Sequence, residues 1–188
     1  ESVDGMSLEK IHRIINALKA GTFRWRPCRR IYIPIQTTGH RPLGLPGWRD
    51  KLVQEVLRML LQAYYEPRFS DRSHGFRPGR SCHTALKEIR RTWTGTVWLI
   101  EGDIKGCYDN VDHSVLLEIL QRDLHDDRLL WLFRGLLKAG YLEDWNWRPT
   151  PSGVPQGAIL SPLLSNIYLN ELDRFVEDTL IPIHTNGR

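Results

Sequence analysis

At 188 residues and 21.9 kDa the chain is long enough to bury a core unaided, and its three cysteines (Cys28, Cys82, Cys107) are odd in number and lack a CxxC pair, which argues against a disulfide framework or structural zinc and for a reducing compartment. No run approaches the roughly 18 apolar residues of a membrane span, and the opening residues lack the regions of a signal peptide, so a soluble protein is predicted. The formal net charge of +4 conceals a division: residues 1–100 hold 18 Lys/Arg against 8 Asp/Glu, and residues 101–188 hold 8 against 14. The first surplus is mostly arginine, which predicts a nucleic-acid partner; the alternative is a solvated basic face.

In chain order, Leu8, Ile11, Ile14, Ile15 and Leu18 recur at helical spacing, predicting an amphipathic helix over 7–20 stopped by Gly21. A basic aromatic stretch follows, Phe23-Arg24-Trp25-Arg26-Pro27-Cys28-Arg29-Arg30. Alternating Ile31, Ile33, Ile35 and then Leu43, Leu45 predict a hairpin with a loose loop at Thr37-Thr38-Gly39. Leu52, Val53, Val56, Leu57, Leu60, Leu61 and Tyr64 predict a helix over 48–65, and Ser81 caps a third over 81–93. Thr96-Val97-Trp98-Leu99-Ile100 is nearly all apolar and leads into Glu101-Gly102-Asp103, which predicts a buried strand delivering a carboxylate at its end. Helices are predicted at 112–124 and 127–139, an aromatic strand pair at 141–147, and a final helix to about residue 180 with Ser161 as N-cap and Pro162 as first helical residue. The tail from Ile181 shows no stop signal. Dominant helices with short antiparallel strands make the fold class α+β.

Asp103, Asp109 and Asp112 lie close in sequence, and carboxylate oxygens suit a hard cation such as Mg²⁺. Asp109-Asn110 is turn chemistry and Asp112 precedes a helical period, so those two read as turn and cap; spacing alone leaves Asp103 open between metal ligand and ordinary carboxylate. Gly75-Phe76-Arg77-Pro78-Gly79-Arg80 sets two arginines on a rigid loop suited to a phosphate or carboxylate. Gly153 and Gly157 flank Gln156, which suits close approach to a ligand as well as a plain turn. The seven histidines form no HxxxH or HExxH pattern and no GxxxxGK[ST] occurs, so a zinc hydrolase and a P-loop enzyme are disfavoured.

Arg41-Pro42-Leu43-Gly44-Leu45-Pro46 with Arg49 to Gln54, Ser73 to Ser81, Glu101 to His113, and Gly153 to Asp173 occur in one order across the chain. Together they resemble the reverse transcriptases encoded by group II introns, the intron maturases, most closely the mitochondrial-type lineage with its Gly-Asp-Ile-Lys-Gly-Cys-aromatic-Asp-Asn. The resemblance implies a right-hand polymerase, with residues 1–100 as fingers and 101–188 as the first part of an incomplete palm.

The resemblance also implies roles. Asp103 would be the first metal-binding aspartate and the Ile104 carbonyl a further ligand for Mg²⁺. Arg41, Tyr108 and Gln156 would meet the incoming deoxynucleoside triphosphate, Tyr108 by excluding a 2′ hydroxyl. Arg24, Arg29, Arg30, Arg77 and Arg80 would meet RNA. Implied partners are group II intron RNA, template RNA and DNA primer, in a cytoplasmic or mitochondrial ribonucleoprotein that serves splicing and retrohoming. Two departures stand out. Ile35 occupies the place of a triphosphate-binding lysine, and no Tyr-x-Asp-Asp tetrapeptide occurs. The expectation is a truncated fragment that binds RNA without polymerising and self-associates through apolar faces at Trp98 to Ile100 and Leu160 to Leu172. Another retroelement or CRISPR-associated reverse transcriptase, or a catalytically dead splicing factor, is the alternative.

Overall fold

The computed structural model describes residues 6–34, 39–154 and 157–185. Ile35 and Gln156 lie outside the described residues. In chain order the elements are α1 (Leu8–Lys19), β1 (Cys28–Pro34), β2 (His40–Leu45), α2 (Trp48–Tyr65), a 3₁₀ turn (Glu66–Arg68), α3 (Cys82–Thr92), α4 (His113–Asp123), α5 (Asp127–Leu137), β3 (Tyr141–Glu143), β4 (Asn146–Arg148) and α6 (Ser161–Phe175). A π-helical segment (Val176–Leu180) and α7 (Ile181–Thr185) extend α6. The α+β class is as expected.

The helices start where local chemistry supplies acceptors for their first N–H groups. Ser81 accepts from Thr84 N while the Thr84 hydroxyl accepts from Ser81 N, a capping box. Asp112 Oδ1 accepts from Ser114 N at 2.7 Å and Val115 N at 3.0 Å, and these two N–H groups hold its carboxyl below the usual range. Ser161 is instead the first helical residue and buried; the chain is already helical at Leu160, because the preceding turn runs directly into α6. Helix continues to Thr185, past the expected end near 180.

One core joins α1, α2, α4, α5 and α6: Ile14, Val53, Leu57, Leu61, Leu116, Leu120, Phe133, Leu137, Leu164 and Ile167 are all buried in it. Trp25 ties the basic aromatic stretch to this core by donating from Nε1 to the Leu132 carbonyl at 2.8 Å. The face from Leu160 was expected to be exposed, but Leu160, Leu163, Leu164 and Ile167 are buried against α2 and α4; Leu172 and Phe175 do face solvent.

The four strands form one sheet in the order β2-β1-β3-β4. The β1–β2 hairpin and β3–β4 are antiparallel, as predicted, but β1 and β3 pair in parallel at Cys28↔Tyr141 and Arg29↔Leu142. The parallel pairing joins segments over 100 residues apart, so no local pattern encodes it.

The predicted buried strand at 96–100 is not formed. Residues 96–104 take no regular structure and are exposed, with Val97 at 84% and Ile100 at 95%. A strand needs a lateral partner for its N–H and C=O groups, and among the described residues none pairs with it.

Candidate nucleotide and RNA site

Three sequence-distant pieces meet around Tyr108. The first is β2, which carries exposed Arg41 opposite Ile33 of β1. The second is the turn bearing Tyr108 itself, closed by Asp109 N and Asn110 N donating to the Gly106 carbonyl at 2.9 and 3.0 Å. The Asn110 side chain donates to the carbonyls of Lys105 and Gly106, so the turn is braced from inside. Half-buried Tyr108 has its phenol pKa raised by burial and by Cys107, while Arg41 pulls it the other way.

The third piece is the loop after Pro151, which is pinned to the same turn. Val154 N donates to the Tyr108 carbonyl at 2.7 Å, Gly153 N to the Val111 carbonyl at 2.8 Å, and Ser152 Oγ to the Asp109 carbonyl at 2.9 Å. His113 Nε2 donates to the Gly153 carbonyl at 2.7 Å. Glycine is required at both ends of this loop. Gly153 has φ +86°, and a Cβ there would lie 2.7 Å from the Tyr108 carbonyl oxygen; Gly157 has φ +91°, and a Cβ there would lie 2.6 Å from Leu43 Cδ1 and 2.8 Å from the Gly44 carbonyl oxygen. Gly153 thus packs against the Tyr108 turn and Gly157 against β2. A cavity of 280 Å³ opens beside the turn, walled by Arg30, Asp109, Tyr141 and Ser152.

Asp103 and Ile104 precede this turn in the exposed segment. Asp103 makes no ion pair among the described residues, and its backbone neighbour Ile104 is solvent-facing. Reverse transcriptases use divalent metal ions. Among the described residues no three His, Cys, Asp or Glu side chains converge on one point. One carboxylate and one carbonyl do not enclose a hard cation that takes about six oxygens, so the described residues do not by themselves fit the metal.

The arginines expected to meet RNA differ in availability. Arg24 and Arg29 are exposed, and Arg30 is half-buried with its guanidinium 3.4 Å from the Tyr141 ring centroid. Arg80 is braced by Asp71 at 2.8 Å and by the Asp71 carbonyl. Arg77 is buried and committed inward: it pairs with Glu66 at 3.0 Å and donates to the carbonyls of Ser70 and Ser73 at 2.5 and 2.9 Å. In this geometry Arg77 staples the Ser73–Ser81 loop to the end of α2, and Asn166 of α6 holds the same loop through the Gly75 carbonyl at 2.8 Å.

Sequence reasoning missed the polar residues that position these loops. Gln54 is buried and its Oε1 accepts from Ile159 N at 3.1 Å, tying α2 to the chain leading into α6. Asp50, also buried, accepts from Arg49 and from Arg26 N. Both sit at the helical spacing of Val53, Leu57 and Leu61, and a polar residue in phase with a buried face was the available signal.

The reverse transcriptase (RNA-dependent DNA polymerase) family matches residues 33–184. The group II intron-encoded protein LtrA of Lactococcus lactis subsp. cremoris is 54% identical over 177 residues, covering 94% of this chain and 30% of that protein. The putative COX1/OXI3 intron 1 protein of Saccharomyces cerevisiae is 38% identical over 189 residues, covering 100% of this chain and 22% of that protein. Among solved structures, a partial Cas6-RT-Cas1–Cas2 complex shares the fold with a TM-score of 0.60 at 24% identity, over 95% of this chain and 31% of that chain. The chain therefore spans less than a third of the length of these relatives, and it belongs to the reverse transcriptase family, with clear similarity to members encoded by introns.

Proposed function

We propose that this chain is the template- and nucleotide-binding part of an RNA-directed DNA polymerase and maturase that acts on group II intron RNA. The observation that carries the proposal is the meeting of Arg41, Tyr108 and the glycine-flanked loop at one place, in a chain 54% identical to an intron-encoded protein. Residues 1–100 serve as fingers and residues 101–188 as the first part of the palm. Arg41 receives the triphosphate of a deoxynucleotide, the Tyr108 ring lies under its sugar and excludes a 2′ hydroxyl by bulk, and Gln156 meets the nucleotide or primer. Arg24, Arg29, Arg30 and Arg80 contact the backbone of template or intron RNA, and Arg77 shapes the loop that carries Arg80.

Asp103, with the Ile104 carbonyl, is one donor set of a Mg²⁺ site that the described residues do not complete. The expected behaviour of the 188-residue chain is RNA binding without primer extension. Its setting is a bacterial cytoplasmic or mitochondrial ribonucleoprotein, and no helix of the described residues is long and apolar enough to cross a membrane. The test is a pair of assays on the purified chain: retention of structured intron RNA at low salt, and extension of an annealed primer with Mg²⁺ and deoxynucleotides. Retention that weakens steeply with salt is expected. Measurable extension overturns the inactivity, and no retention overturns the RNA assignment. Equilibrium dialysis with a deoxynucleoside triphosphate checks Arg41, whose replacement in Arg41→Gln is expected to weaken binding about tenfold or more, the loss of one charge-assisted contact.

A further inference from the structure

The β3–β4 hairpin beyond Tyr141 takes no part in the nucleotide site described above. Glu143 pairs with Asn146, so the strands are joined by a two-residue turn, Asp144-Trp145, with φ of +49° and +63°. Positive φ at both positions is the hairpin geometry that matches the twist of the strands, and it favours Asn-Gly. Asp tolerates the left-handed region, whereas Trp there is uncommon and strained. Trp145 is nevertheless 90% exposed, so packing against the described residues does not hold it in place. Backbone strain at an exposed aromatic residue points to a use outside the fold itself.

Trp147, 56% exposed, is a second ring on the same hairpin. Its Nε1 donates to the Ala139 carbonyl at 3.2 Å, which fixes the plane of the indole. Gly140 makes room for it: at φ +72°, a Cβ there would lie 2.6 Å from Trp147 Nε1 and 2.4 Å from the Arg148 carbonyl oxygen. The residues beside the two rings in sequence are Asp144, Asn146 and Arg148, all polar. A docking face for a protein would surround its aromatic anchors with further apolar side chains. Separate rings with polar neighbours instead suit planar ligands that are polar at their edges, and unpaired bases have that form. The register puts exposed Arg29 of β1 in one row with Leu142 and Trp147, on the same face and about 10 Å from Trp147, two strand spacings away. Glu143, which accepts from the Tyr32 hydroxyl, and Asp144 lie in the same hairpin and oppose a phosphate, so recognition here falls to the rings rather than to charge.

We propose that Trp145 and Trp147 form a stacking platform for unpaired bases of a single-stranded polynucleotide, whose backbone Arg29 meets. The proposal rests on the RNA-binding reading above, in which Arg29 already has a part, and adds the two rings to it. An RNA strand and a DNA strand share this chemistry, and the test separates the two.

The experiment titrates the 188-residue chain into a labelled oligoadenosine, its deoxy counterpart and an RNA duplex at several salt concentrations, following fluorescence anisotropy. Circular dichroism and the thermal midpoint verify that each variant is folded. Trp145→Gly relieves the positive φ, so its midpoint should hold or rise while its affinity for oligoadenosine falls about tenfold, the loss of one stacked base. Its slope of log K against log salt should match wild type because no phosphate contact is removed, whereas Arg29→Gln should make the slope shallower by about 0.7. Trp147→Ala should lose a similar factor and Trp147→Phe, which keeps a ring, should recover most of it. Binding of the duplex, whose bases are already stacked, should not respond to Trp145→Gly. Wild-type affinity for oligoadenosine in Trp145→Gly overturns the platform, as does an equal loss on the duplex. A wild-type chain that binds none of the three overturns the RNA reading and the platform with it. Dependence on Trp145 with the deoxy strand alone overturns RNA as the ligand of the platform, and dependence with the RNA strand supports it.

Discussion

Residues 129–133 and residues 97–100 are both runs of large apolar side chains, and only the first sends side chains into the core. In α5, Leu130, Phe133, Leu136 and Leu137 point into the core, and the helix satisfies its own backbone groups. Val97 to Ile100 is as apolar, but an extended segment must find its hydrogen bonds on a neighbouring strand, and among the described residues it has none. A helix needs its environment only on one face; a strand of this kind needs it on both edges and both faces.

The sharpest way to break that comparison is to truncate both regions. Phe133→Ala is expected to cost about 3–5 kcal/mol in urea unfolding, whereas Ile100→Ala should lie within about 0.5 kcal/mol of wild type. A large loss from Ile100→Ala would mean that 96–100 is packed in solution.

Next in size is the polar staple under the packed region. Asp50→Ala strands the Arg49 charge and the Arg26 N–H and is expected to cost about 2–3 kcal/mol, below a fully buried pair because Arg49 is partly exposed. Burial raises the Asp50 carboxyl above its ordinary value of 3.8, with Arg49 opposing. The folded state therefore holds this proton to higher pH than the unfolded chain does. Its contribution to stability falls as pH rises from 3.8 through the raised value, and Asp50→Asn should abolish that component in unfolding curves measured across acid pH.

Gly153→Ala probes the anchored loop. A Cβ at φ +86° collides with backbone of Tyr108 and Asp109, and a loss of about 1–3 kcal/mol is expected, with weaker nucleotide binding by dialysis. Ser81→Ala removes one cap of a helix that buries no residue, and should cost about 1 kcal/mol, read as lost helicity. The smallest change in stability belongs to V97S/I100S, which should unfold like wild type yet abolish concentration-dependent self-association in light scattering. A wild-type chain that stays monomeric at high concentration would remove the exposed segment as a contact between copies.

Much of the fold was legible. The period of α2 predicted both of its ends, Ser81 and Asp112 announced their helices, and Ile31 to Leu45 announced the β1–β2 hairpin, because each depends on interactions within a few residues. The candidate site was legible in part: Arg41, Tyr108 and the glycines around residue 156 were singled out before their meeting was visible. The inward commitment of Arg77 was not legible, since an arginine on a Gly/Pro loop looks alike whether its acceptor is a phosphate or the Ser70 carbonyl. Nor were the Gln54–Ile159 and Asn166–Gly75 ties, which join residues about 90–105 positions apart.

By itself the sequence determined most of the helices, the caps Ser81 and Asp112, the hairpin, the division of charge and the family, because periodicity, capping and motif order are local and need no partner. Tertiary structure alone decided the parallel β1–β3 pairing, the burial of Asp50 and Arg77, the exposure of 96–104, and the packing of Gly153 against Tyr108 and of Gly157 against β2. Those depend on which distant backbone groups are close enough to exchange hydrogen bonds or to exclude water, and proximity of that kind exists only once the chain has folded.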